Sequence, residues 1–215
     1  ELTSNSPLYI LGKEPADFTR PNTINNDYPA KVPLKTTISG QGAARLFNTI
    51  NLEKPSLTLE NMVLADGYSV DAGGALLLGG NTELINVVIQ NSKADKGGAI
   101  FLNDINSNLT ITGSVLKDNK ANTGSVLAMT CLDKLSYTIR DITINRSSII
   151  GNGDTNSQST LSYCGQPTAL ISTSTISKNI ANLSTGRIIE FSGLTGNIQN
   201  NLSPTSSLGL LSNTI

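Results

Sequence analysis

The sequence predicts an all-β chain wound as a right-handed parallel β-helix of about six or seven coils behind an irregular leading segment. Three observations carry that expectation. An internal period lies near 25 residues, small residues recur in register at two corners of the repeat, and the composition suits strands and turns better than helices.

Residues 1–35 hold Pro7, Pro15, Pro21, Pro29 and Pro33, five of the eight prolines, and show neither a helical period nor sustained alternation. They read as an irregular N-terminal cap or leading segment. From residue 36 to residue 215 the texture changes to short β-rich phrases separated by Asn, Asp and Gly, the span assigned to the parallel β-helix. Phrases ending in an aliphatic pair anchor the repeat at Leu64, Ile89, Leu116, Ile150 and Ile176, in steps of 25, 27, 34 and 26. Three residues beyond these anchors stand Gly67, Ser92, Asn119, Gly153 and Asn179. A second phrase follows in Gly73-Gly74-Ala75-Leu76, Gly97-Gly98-Ala99-Ile100 and Gly124-Ser125-Val126-Leu127, then more loosely in Ser159-Thr160-Leu161 and Gly186-Arg187-Ile188. The segment from Gly42 to Ile50 looks like the same phrase one turn earlier.

A unit this short cannot bury an apolar face alone, so it must stack on copies of itself. Stacking one unit per turn pairs each strand with its equivalent at about 4.8 Å and piles the inward aliphatics into columns. Glycine pairs 73–74 and 97–98 then serve corners where a Cβ would clash, and Asn119 and Asn179 can ladder through their amides. A β-sandwich would instead show hairpin signals every 8 to 12 residues and no recurrence near 25. The Leu-x-x-Leu-x-Leu framework of leucine-rich repeats is absent.

Composition excludes several functions. With 15 basic and 16 acidic residues the formal charge is −1, so no basic field draws in nucleic acid. The absence of His removes Ser-His-Asp and Cys-His catalysis. No apolar run approaches the roughly 18 residues of a membrane span, so no membrane insertion by this segment is expected. Glu1-Leu2-Thr3 does not look like a signal peptide, and the chain reads as mature or excised. No metal site or cofactor is expected, since two cysteines without histidine cannot complete a structural zinc. The glycine pairs run into aliphatic strands and not into a helix, which argues against a phosphate loop.

Ile176-Ser-Lys-Asn-Ile-Ala181, Leu116-Lys-Asp-Asn-Lys-Ala121 and Lys96-Gly-Gly-Ala-Ile100 resemble the F-x-x-N and G-G-A-[ILV] repeats of the polymorphic membrane proteins of the chlamydial type, over about residues 36 to 192. The resemblance implies an autotransporter-like passenger at the bacterial surface, associated with the outer membrane, whose activity is adhesion to a host-cell protein or glycan. Two other readings stand beside it. A carbohydrate-active β-helix would need a carboxylate or cation cluster on one face. Asp66 and Asp118 fall two coils apart, but the intervening Asn91 makes a corner ladder the simpler account. A purely structural stalk would bind no surface at all.

Cys131 and Cys164 are separated by nearly one local coil step, so stacking brings them within disulfide range; two free thiols packed in the core are the alternative. A disulfide implies an oxidising compartment. The long coil between them carries roughly seven to nine extra residues, placed in the segment from Cys131 to Arg140. Insertions in a stacked repeat must leave as loops, commonly on the face used for recognition. Lys134, Tyr137, Arg140 and Tyr163 are the candidate partner-binding residues of that loop.

Overall fold

The structure, a computed structural model, describes residues 2–3, 6–13, 34–50, 53–104, 107–131, 140–165, 167–192 and 208–212. The leading part supplies β1 (Leu2–Thr3), β2 (Leu8–Leu11), β3 (Thr37–Ser39) and β4 (Phe47–Asn48). Two long strands follow, β5 (Leu57–Ala65) and β7 (Thr82–Gln90), with β6 (Leu76–Leu78) between them. Thereafter come β8 (Ile100–Leu102), β9 (Leu109–Thr112), β10 (Val115–Lys117), β11 (Leu127–Met129), β12 (Arg140–Asn145), β13 (Ser148–Ile150) and β14 (Ser159–Cys164). The described chain ends with β15 (Pro167–Ser172), β16 (Thr175–Ser177), β17 (Arg187–Ser192) and β18 (Leu208–Ser212). Among the described residues there is no helix.

Every strand pair is parallel, and each strand pairs with its equivalent one turn away. One sheet runs β1-β4-β6-β8-β11-β14-β17; the other holds the remaining eleven strands. The result is a parallel β-solenoid of about five turns. Fewer turns form than the six or seven expected. The leading segment also departs from expectation: β1 pairs β4 and β2 pairs β5, so residues before 36 enter both sheets. Their alternation at Leu8 and Ile10 packs apolar side chains on the core.

Interior columns follow the register. Leu59, Leu84, Ile111, Ile144 and Ile171 form one, and Leu76, Ile100, Leu127, Leu161 and Ile189 another. The first column is buried throughout, and its full burial stabilises by about 1.5–3 kcal/mol per aliphatic side chain.

The register corrects the repeat at one point. Leu116 pairs with Ile149, not Ile150, so the anchors step by 25, 27, 33 and 27. Asn152, not Gly153, therefore completes the column Gly67, Ser92, Asn119, Asn179. The side chains of Ser92, Asn119, Asn152 and Asn179 point inward, and the asparagines form a ladder along the axis. Ser92 N, Asn119 N and Asn152 N donate to the Oδ1 of Asn119, Asn152 and Asn179 at 2.9, 3.0 and 2.9 Å. The amide groups of Asn119, Asn152 and Asn179 donate in turn to the carbonyls of Ile89, Leu116 and Ile149. A serine ladder stands at the preceding bend. Val87 N, Ser114 N and Ser147 N donate to the Oγ of Ser114, Ser147 and Ser174, which donate to Thr112 O, Asn145 O and Ser172 O.

The bends themselves are left-handed. Asn61, Asn86, Gly113, Arg146 and Thr173 share positive φ at one, and Asp66, Asn91, Asp118, Gly151 and Lys178 at the next. The expected corner at Asp66, Asn91 and Asp118 is thus a backbone position that Asn, Asp and Gly tolerate best. At the glycine pairs the two residues do different work. Gly73 and Gly97 have φ of 64° and 61°, whereas Gly74 and Gly98 lie where the next turn passes closest. A Cβ on Gly98 would collide with the backbone carbonyls of Lys120 and Ser125.

Two stability outcomes follow from these corners. Gly98→Val should destabilise by about 3 kcal/mol, because backbone and not a pliable side chain blocks it, while Glu83→Ala on an outward, exposed position should be nearly silent. Equal melting shifts for the two would overturn the corner assignment. Asn152→Ala, which leaves Asn119 N without its acceptor in the interior, should lose about 2–4 kcal/mol in chemical denaturation; a loss no greater than that of Glu83→Ala would show the ladder to be dispensable.

Candidate functional site

The insertion lies where the spacing placed it. Between the inward positions of the two sheets the chain uses few residues in most turns, from Leu78 to Thr82 and from Tyr163 to Ala169, but Met129 and Ile142 are much further apart. Gly153 to Gln158, by contrast, is an ordinary corner. Its Asp154 accepts from Asn156 N, and Ser157 donates to Ala121 O.

Cys131 and Cys164 are disulfide-bonded with Cα atoms 4.9 Å apart and a sequence separation of 33, one full turn. Stacking alone brings them together, and the bond closes the base of the insertion. Lys134 and Tyr137 lie outside the described residues.

Arg140 and Tyr163, expected as exposed anchors, point inward and are fully buried. Arg140 opens β12 at the inner corner, where its Nη2 donates to Thr130 O and Cys164 O, both at 2.8 Å. It is a strut holding the two chain segments next to the disulfide. Burial pushes the guanidinium down to about 10, against the pull of Asp104, so it stays cationic at neutral pH. Asp104 also pairs with Lys54 at 2.6 Å. Tyr163 continues the inward column of Leu78, Leu102 and Met129 and stacks on Phe191, with ring centroids 4.8 Å apart. Burial pushes its phenol up. Neither side chain is available to a partner. The reason for Tyr163 is strand alternation: it stands two residues after the inward Leu161 in β14 and so shares its face.

The described surface instead carries a groove on the outer side of the turn between the Asn ladder and the glycine corner. Its cavity of about 360 Å³ draws residues from four successive turns. One wall is Tyr68, Lys93 and Lys120, joined by parallel bridges into one column. Ala94 and Ala121, both 7% exposed, form the floor. The opposite wall is Val70, Asp95 and Asn122, with Asp154 and Asn156 closing one end. Asn122 Nδ2 donates to Asp95 Oδ1 at 2.6 Å, fixing that wall.

Lys93 and Lys120 sit one residue after Ser92 and Asn119, so the ladder that turns those side chains inward turns the lysines outward. The spacing holds two like charges on adjacent turns, an unfavourable pairing in a sheet. Among the described residues neither ammonium has a carboxylate within ion-pair distance. The groove therefore presents two lysines without a direct ion-pair partner across from the Asp95 carboxylate and the Asn122 amide. Sequence reasoning singled out neither lysine, although both were visible as the residues that follow the ladder column.

Among the described residues no group of three or more His, Cys, Asp or Glu side chains is placed to hold a metal ion, and no helix is long and apolar enough to cross a membrane.

The unfolded, unreduced protein should show no titratable thiol, and reduction should lower stability by about 3–4 kcal/mol in the chain-entropy account of a loop this size. Two titratable thiols would overturn the pairing. A scan against protein-family models and searches of curated proteins and of solved structures found no match to this chain.

Proposed function

We propose that this chain is a non-catalytic surface module that mediates adhesion to a host-cell protein or glycan, a piece of a bacterial passenger wound as a right-handed β-helix. The observation that carries this reading is the groove: a polar, mixed-charge channel built from side chains of successive turns on a stack whose interior is tightly laddered. A rigid stack presents outward side chains in fixed spacing, which lowers the ordering cost of binding an extended partner. Right-handed winding is the hand that parallel strands adopt when one crossover joins them in the same sheet. The disulfide supports an extracytoplasmic location, where such bonds persist.

Beads carrying the full chain should attach to cultured cells and lose attachment when the soluble chain competes. Attachment to no cell and no glycan surface would favour a stalk. Release of soluble products from acidic polysaccharides, with or without Ca²⁺, would favour an enzyme.

A further inference from the structure

The groove's chemistry narrows its ligand. Floor and wall backbone groups are already engaged between turns: Lys93 N donates to Gly67 O, Ser69 N to Lys93 O, Ala94 N to Lys120 O and Lys120 N to Ser92 O. No backbone edge is left there for a peptide strand to extend, so recognition rests on side chains. Lys93 and Lys120 are exposed and bridge one another on adjacent turns, where backbones lie about 4.8 Å apart, so their side chains can reach one shared carboxylate. Across the floor, Asp95 and Asn122 offer acceptors suited to hydroxyl groups, and the Asp95 carboxylate disfavours a densely charged polyanion such as nucleic acid or a heavily sulfated chain. Tyr68, in line with the two lysines, supplies an aromatic ring at one end. Sparse negative charge, many hydroxyls and an apolar ring face together describe a uronate-containing glycan. Four turns give about 14 Å of groove, and the rise per turn is comparable to the advance of one pyranose ring along an extended glycan.

We propose that this groove binds an acidic, uronate-containing oligosaccharide lying along the solenoid axis, with its carboxylate between Lys93 and Lys120, its hydroxyls on Asp95 and Asn122, and a sugar ring against Tyr68. The assignment rests on the adhesion reading above, and names the ligand class for it.

The test is calorimetric titration of the full chain with oligogalacturonate, a neutral galacto-oligosaccharide of equal length and polyglutamate. Oligogalacturonate should bind, weaken as salt rises, and lose about 10- to 100-fold in affinity in the K93Q/K120Q variant, with Lys35→Gln unchanged. Both lysines are exposed, so the double variant should melt no lower than the parent; Tyr68→Ala, which leaves the charges in place, should weaken binding independently. Absence of oligogalacturonate binding, or binding undiminished in K93Q/K120Q, would overturn the assignment. Equal binding of polyglutamate would overturn the glycan and leave only anion attraction. Cell attachment that persists in K93Q/K120Q without uronate binding would remove the groove and spare adhesion, whereas uronate binding without cell attachment would do the reverse.

Discussion

Each turn of this solenoid must bend inward at a left-handed residue, and the amide beyond the bend then faces along the axis with no carbonyl in line. The structure answers with a side-chain oxygen from the neighbouring turn: Asn119, Asn152 and Asn179 at one bend, Ser114, Ser147 and Ser174 at the other. A buried amide without such a partner would lose on the order of 1–3 kcal/mol. The ladders are therefore what allows short strands to close into turns at all, and they hold successive turns in a single register.

Register in turn decides everything on the outside. Because Asn119 and Asn152 point inward, the residues that follow them point outward, and the groove wall of Tyr68, Lys93 and Lys120 is a by-product of the ladder. At the fourth turn that column passes to Gly153, which ends the cationic pair. The floor stays open because Ala94 and Ala121 are small, and the nearby glycine corner lets the next turn pass at backbone distance.

The insertion shows the same logic from the opposite side. Extra residues cannot enter a laddered column, so they leave the wall, and the exit is closed by the disulfide and by Arg140 holding Thr130 O and Cys164 O. A buried cation beside a cross-link is an expensive arrangement, tolerable here because two carbonyls and Asp104 offset part of the desolvation. Tyr163 fills the core beneath, against Phe191.

The period near 25, the glycine corners, the stacking of Cys131 on Cys164 and the site of the insertion were all legible in the sequence, because they depend on spacing along one chain and a stacked repeat converts spacing directly into contact. The direction of individual side chains was not legible. A one-residue slip at Ile149 and Ile150 hid Asn152, and which face of β12 and β14 turns inward, and with it Arg140 and Tyr163, was fixed only by their register against Pro167 and Phe191 on the neighbouring turn. The groove was likewise decided only by tertiary structure: Lys93 and Lys120 are 27 residues apart in a chain where lysines are scattered, and only the parallel bridge between neighbouring turns makes them one site. In a period-two strand interrupted by left-handed bends, each bend resets which residues face out, so facing is a property of the assembled stack and not of the repeat unit.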